Sequence, residues 1–158
     1  MTNKVIASLL KQHHQDAYRW SYQCCRGNED DAKDVLQLAY LKIVEGKARY
    51  REKSAFKTWL FSVIRFTAID YFKQDRKLMT LDGIELINEE PEASEHQNYR
   101  ALMTKLPERQ EQILTLAFYH HLTLSDIASV TDLHIGTVRT HYERGKKSLR
   151  ELIKRSTL

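Results

Sequence analysis

Apolar residues recur along most of this chain at spacings of three, four and seven, the period of a helix with one buried face. Near the C-terminal end, Leu124, Ile127 and Ala128 share a face. Thr123 stands before them with a side-chain oxygen suited to an N-cap, and Asp126 places an acid in the first turn. Thr131, Asp132 and Leu133 read as a turn. A second helix follows, with Ile135, Val138, Tyr142, Leu149 and Leu152 on one face and Arg139, Thr140, His141, Arg144, Lys146 and Lys147 on the other. Two short helices joined by such a turn, the second with a basic outer face, form a helix-turn-helix. That motif reads DNA bases with the early residues of its second helix.

The N-terminal half has the same period. A helix near residues 5–25 stops at Arg26-Gly27-Asn28, where Gly27 supplies a C-cap, and Asp30 or Asp31 can open the next, over about 31–45. That second helix carries Val35, Leu36, Leu38, Ala39, Tyr40, Leu41, Ile43 and Val44 around most of its circumference. It is therefore either deeply buried or offers an apolar face to a partner. Gly46 ends it. A basic loop from Lys47 to Lys53, with Tyr50 inside it, leads to Ser54, read as the cap of a third long helix. Phe56, Leu60, Val63, Ile64, Thr67 and Tyr71 form its stripe, while Lys57, Arg65, Lys73, Arg76 and Lys77 lie elsewhere. The loop cations, Tyr50, Trp59 and Phe66 have the composition of a single-stranded DNA surface, where cations follow phosphates and aromatic faces stack bases.

Five Gly and two Pro in 158 residues leave few helix breaks, and no strand alternation is joined by Asn-Gly or Asp-Gly turns. The expected fold is all-α, two small helical domains: residues 1–78 with three or four helices, an acidic linker over 79–100, and the helix-turn-helix over 101–158. The linker's stretch from Leu81 to Ser94 is rich in acids and turn residues, with Ile84, Leu86 and Ile87 as an apolar knot. Charge follows the same division. Residues 1–77 hold 15 Lys and Arg against nine Asp and Glu, 78–100 hold one against six, and 101–158 hold nine against six. Two basic modules around an acidic segment suit a polyanionic partner.

Other chemistries find little support. No apolar run approaches a bilayer span, and the first ten residues lack a secretory pattern, so a cytoplasmic protein without membrane insertion is expected. Cys24 and Cys25 are adjacent, which suits core thiols better than zinc or a disulfide framework. His13-His14 and His120-His121 lack the i, i+4 spacing of a helical metal site, and no metal or cofactor is expected. There is no His-Glu-x-x-His, no phosphate-cradling Gly loop and no nucleophile motif, so the chain does not read as an enzyme.

Several segments, in order, resemble the extracytoplasmic-function (ECF) sigma factors of bacterial RNA polymerase, small members of the sigma-70 superfamily. Asp31-Ala32-Lys33-Asp34-Val35-Leu36-Gln37-Leu38-Ala39-Tyr40-Leu41 is similar to the family's polymerase-binding helix. Ala55-Phe56-Lys57-Thr58-Trp59-Leu60 through Ala68-Ile69-Asp70 is similar to its promoter-melting helix. Leu106-Pro107-Glu108-Arg109-Gln110, Leu122 to Ala128 and Ile135 to Arg139 match its C-terminal domain. The resemblance implies that Asp34, Val35, Gln37, Leu38 and Leu41 lie against the clamp coiled coil of core RNA polymerase. It implies that Arg49, Tyr50, Arg51, Lys53, Ser54, Lys57, Trp59, Arg65, Lys73 and Arg76 hold the non-template strand of melted promoter DNA, with one base flipped out at the loop. Thr123, Gly136, Thr137, Arg139, Thr140, His141 and Arg144 would read the duplex upstream element, with Lys146, Lys147 and Arg150 near phosphates. The acidic linker would thread toward the RNA exit path, and an anti-sigma factor would be a further partner.

Some positions depart from the pattern. Lys33 and Leu38 stand where acids are common, which makes the polymerase face less acidic. Asp132 replaces a turn Gly, His134 replaces a hydroxyl cap, and His141 occupies an outward place often held by a cation; the two imidazoles would make DNA binding sensitive to pH. A free-standing LuxR-like regulator, which shares the Thr137-Val138-Arg139-Thr140-His141 pattern, is the alternative. It leaves the Phe56 to Leu60 segment unexplained, and the first module lacks the βα alternation of the sensory domains usual in that group.

Overall fold

In the computed structural model, which describes residues 2–79 and 98–156 (side chains over 2–74 and 101–156), every regular element among the described residues is helical. The chain divides between Asn88 and Glu89 into two units. The first holds α1 (Asn3–Gln12), α2 (His14–Cys24), α3 (Glu29–Val44) and α4 (Phe56–Met79). The second holds α5 (Asn98–Met103), α6 (Glu108–Leu114), a π-helical turn (Thr115–Tyr119), α7 (Leu124–Thr131) and α8 (Ile135–Ser156). The acidic stretch with Ile84, Leu86 and Ile87 lies outside the described residues, as does the side chain of Arg76.

Helix boundaries depart from the sequence reading in three places. The single helix expected over 5–25 is two, because His13 leaves helical geometry at φ −100° and ψ 7° while its N–H still bonds the Leu9 carbonyl at 3.0 Å. No Gly or Pro marks this break; the His13 ring rests 5.8 Å from that of Phe56 on α4, a contact between distant residues. α3 begins at Glu29, and Asn28 is its cap, with the Oδ1 accepting the Asp31 N–H at 2.9 Å. Asp30 and Asp31 sit inside the first turn with Glu29, where three acids suit the positive end of the helix. Ser54 does not cap α4. Its hydroxyl turns to the Ala55 carbonyl at 3.4 Å, and its own carbonyl accepts the Tyr50 hydroxyl.

The first core forms where α2, α3 and α4 meet. Ala17, Trp20, Ala32, Val35, Leu36, Ala39, Ile43, Leu60, Phe61, Ile64 and Ala68 are buried. The Trp20 indole N–H donates to the Phe61 carbonyl at 3.0 Å, and the two rings stack with centroids 5.6 Å apart and planes 7° from parallel. Burial of each such ring removes roughly 2–3 kcal/mol worth of apolar surface from water, and the indole's polar edge is satisfied at the same time. Cys25 closes this core as a thiol whose ionisation burial pushes up to about 12, while Cys24 is half-buried beside it.

The second core gathers Leu106, Ile113, Leu114, Leu116, Ile127, Val130 and Val138. Gly145 lets α8 approach α6 closely: a Cβ there would meet Leu114 Cδ1 at 3.1 Å. The turn before α8 depends on Asp132, which adopts the left-handed φ of 57° expected of a Gly substitute.

Candidate nucleic-acid and partner surfaces

α3 buries one side and exposes another that is also apolar. Its register places Ala32, Val35, Leu36, Ala39 and Ile43 in the core, while Leu38, Leu41 and Val44 are 42%, 47% and 66% exposed. Asp34 and Gln37 continue the exposed stripe toward the N-terminus at helical spacing. Val35, grouped with these residues on the strength of the resemblance, is fully buried and cannot touch a docked partner, while Asp34, Gln37 and Leu38 beside it are exposed. Lys33, the first departure from the acidic pattern, pairs with Glu29 at 3.1 Å. Beside the stripe, His14, Tyr18, Leu36, Tyr40, Leu41 and Val44 line an open groove of about 550 Å³ between α2 and α3. Tyr40 and Val44, counted among the apolar residues of this helix but not among its partner-binding residues, stand three residues after Gln37 and Leu41 respectively.

The basic loop is built around Tyr50. Its hydroxyl donates to the Ser54 carbonyl, and its ring packs on Phe56 and Trp59 at centroid distances of 5.4 and 5.2 Å. Phe56 and Trp59 complete the triangle at 5.4 Å. Tyr50, expected as an aromatic open to stacking, is instead half-buried and closes the loop. Trp59 is half-buried in the same cluster, leaving part of its surface at the foot of the loop. Arg49, Arg51 and Lys53 project to solvent around it, with Glu52 between them at φ 57°, a left-handed conformation that fixes a sharp bend. Lys57 faces away from this group toward α2, 3.3 Å from Asp16 and 5.7 Å above the Phe61 ring. Farther along α4, Phe66 is 46% exposed, Arg65 is half-buried and Lys73 is open to solvent.

In the second unit, Thr123 caps α7 by accepting the Asp126 N–H at 3.1 Å. His134 caps α8: its Nδ1 accepts the Gly136 N–H at 3.1 Å while its carbonyl accepts the Val138 N–H at 3.0 Å. An imidazole lone pair thus takes the place of a hydroxyl oxygen. Gly136, Thr137, Arg139 and Thr140 are exposed at the start of α8, and the Thr140 hydroxyl donates back to the Gly136 carbonyl at 3.0 Å. Its oxygen keeps lone pairs for an outside donor. His141 is not wholly outward as expected. It stands three residues after buried Val138 and four before buried Gly145, so its Nδ1 is enclosed against the domain. Arg144, Lys146, Lys147 and Arg150, with Glu143, line a shallow hollow of about 480 Å³, and Lys146 lies 3.5 Å from Glu143 and 4.5 Å over the Tyr142 ring.

Among the described residues no three His, Cys, Asp or Glu gather as a metal site would need, and no helix is long and apolar enough to cross a membrane. The described surfaces are an exposed apolar stripe and a basic loop on the first unit and a basic helix face on the second.

Comparison with known proteins agrees in both halves. The family model for sigma-70 region 2 matches residues 9–78, and that for sigma-70 region 4 matches residues 96–149. The RNA polymerase sigma factor SigV of Bacillus subtilis (strain 168) is 28% identical over 152 residues, spanning 94% of this chain and 91% of that protein. The ECF RNA polymerase sigma factor SigX of the same organism is 27% identical over 158 residues, spanning 90% and 80%. Among solved structures, the sigma factor RpoE in its complex with the anti-sigma factor NepR from Bartonella quintana superposes with a TM-score of 0.77 at 20% identity, over 96% of this chain and 98% of that one. CnrH, solved with the cytosolic domain of CnrY, superposes at 0.66 and 16% identity over 97% and 90%. With a region 2 domain ahead of a region 4 helix-turn-helix, matched in order along nearly its whole length, the chain belongs to the sigma-70 family, in its ECF group, and is a subunit that directs bacterial RNA polymerase to promoters.

Proposed function

We propose that the exposed stripe of α3 is the surface by which this sigma factor holds core RNA polymerase, and that Asp34, Gln37, Leu38 and Leu41 make the contact. The observation that carries the proposal is the second apolar face of α3: Leu38, Leu41 and Val44 stay in water on a helix whose opposite side is fully buried. Leaving that much apolar surface exposed is costly unless a partner covers it. Asp34 and Gln37 at one end of the stripe supply the polar contacts that set register on a docked helix.

The loop cations Arg49, Arg51 and Lys53, with Lys73 along α4, follow the phosphates of the separated non-template strand, and the exposed parts of Trp59 and Phe66 offer faces to its bases. Tyr50 and Ser54 serve by shaping the loop. Binding energy for the unpaired strand offsets unstacking; no bond is made or broken. Arg139, with Gly136, Thr137 and Thr140, reads base edges of the upstream element, and Arg144, Lys147 and Arg150 lie along its backbone. The structural relative solved with the anti-sigma factor NepR supports a further role for an anti-sigma partner in withholding this chain from polymerase. The chain acts in the cytoplasm, where polymerase is, and catalyses no reaction of its own.

The test is co-elution of the purified chain with bacterial core RNA polymerase, followed by transcription of a genomic fragment library with and without it. Start sites that appear only with the chain are the expected result and would give the promoter sequence directly. A chain that fails to co-elute, or a holoenzyme with no new start sites, sinks the reading.

A further inference from the structure

We infer that Tyr71 is a positioning residue for polymerase binding: reaching across from α4, its hydroxyl holds the acidic end of α3 so that Asp34 is presented in one orientation. The inference rests on the proposed role of Asp34 and concerns how that role is achieved. The Tyr71 hydroxyl donates to Asp31 Oδ1 at 2.8 Å and lies 3.4 Å from Asp34 Oδ2. One phenolic proton cannot serve two carboxylates at full strength. The shorter distance marks Asp31 as its acceptor, and Asp34 is left with a weak contact and lone pairs directed outward.

Asp31, Asp34, Leu38 and Leu41 fall at i, i+3, i+7 and i+10 on α3, a single stripe. Tyr71 is therefore wedged at the top of the proposed docking face. Asp31 and Asp34 are like charges one turn apart, and such pairs repel. The Tyr71 hydroxyl lies between them, 2.8 Å from Asp31 Oδ1 and 3.4 Å from Asp34 Oδ2, and so fixes the Asp34 carboxylate on the side of the stripe next to α4. Asp34 is exposed and, among the described residues, no cation pairs with it. Its freedom is thus limited chiefly by Tyr71 and Asp31. A carboxylate already oriented loses less side-chain entropy on docking than one that samples several rotamers.

The neighbouring contact between the same two helices is of a different kind. Lys42 Nζ meets Thr67 Oγ1 at 3.3 Å and Asp70 Oδ2 at 3.8 Å, which ties α3 to α4 two turns further along through groups that take no part in the Tyr71 contact. A variant there controls for loosening of the helix pair as such.

The experiment is a double-mutant cycle read as the Kd for bacterial core RNA polymerase, on the full chain, with Tyr71→Phe, Asp34→Asn, the two together, and Lys42→Met as the control. Phe keeps the ring and its packing, and coincident thermal unfolding of Tyr71→Phe and the parent establishes that the fold is retained. The expected result is that Tyr71→Phe weakens core binding about three- to tenfold in the parent, the range one oriented polar contact commands, and by less than twofold once Asp34 is Asn. An equal factor in both backgrounds, or no effect in the parent, overturns the positioning role, as does an equal loss from Lys42→Met. If Asp34→Asn leaves the Kd unchanged while the parent binds core, the placement of Asp34 in the interface fails and the inference falls with it. A parent that does not bind core at all removes the functional reading itself.

Discussion

Gly145 on α8 and Leu114 on α6 stand so close that a Cβ on the glycine would lie 3.1 Å from Leu114 Cδ1 and 3.2 Å from its Cγ. The contact is between two buried residues of the second unit, with the Gln110 Cβ 3.4 Å away on the same side. Replacing a helical Gly by Ala ordinarily stabilises a helix by about 1 kcal/mol. Here the added methyl must displace Leu114 from a filled core, at a cost of about 1–3 kcal/mol. Gly145→Ala should therefore be neutral to destabilising, by up to about 2 kcal/mol, in urea unfolding of the chain. A variant more stable than the parent by the full propensity gain would mean that the Leu114 side chain gives way at no cost.

Val35 and Leu38 are three residues apart on α3 but belong to different faces, and their variants should separate stability from assembly. Val35→Ala removes two methyl groups from a filled site and should cost about 2 kcal/mol of stability. Leu38→Glu, on a side chain 42% exposed, should change stability by less than about 0.5 kcal/mol while weakening association with core polymerase at least tenfold. Circular dichroism melts and co-elution, run in parallel, give both readings. Unimpaired assembly by Leu38→Glu would move the polymerase face off this stripe.

The cap on the recognition helix should tolerate one exchange and not another. His134→Ala removes the acceptor for the Gly136 N–H and should cost about 1 kcal/mol of stability in the second unit. His134→Ser restores an acceptor of the usual kind, and its melting temperature should return to within a degree or two of the parent. If Ser is no better than Ala, the imidazole is held there by something other than capping.

Arg139→Ala should relax selection of the upstream promoter element by about 1–3 kcal/mol if the guanidinium makes a bidentate contact with a base. The measurement is a competition between the selected promoter and single-base variants, at fixed salt. A uniform loss across all sequences, together with a shallower salt dependence, would make Arg139 a phosphate anchor.

Acid should weaken the first unit through His13. Desolvation, and then the nearby Lys57 charge, lower its proton affinity below the ordinary value, with Asp16 opposing them by less. The folded state therefore favours the neutral ring. Its contribution to stability is complete above the unfolded value of about 6.5 and declines as pH falls through it toward the lower folded value. The melting temperature of the parent should thus drop between pH 7.5 and 5.5 more steeply than that of His13→Gln. Parallel curves for the two would assign the dependence to other groups.

Much of this was legible in the residues alone, because helical period is a property of neighbours. The stripe of α4, the Thr123 cap, the turn at Asp132 and the order of the two units follow from spacing, cap chemistry and left-handed tolerance, none of which needs a partner from elsewhere in the chain. What sequence could not supply arises from contacts between residues distant along it. His13 breaks a helix with no breaker in it, at a place where its ring meets that of Phe56, more than forty residues on. Tyr50 is half-buried against Phe56 and Trp59, and Lys57 is drawn toward Asp16. Which half of α3's circumference goes to the core, and so whether Val35 or Leu38 meets a partner, is decided by where α2 and α4 pack. A sequence that is apolar all round leaves that choice to tertiary structure.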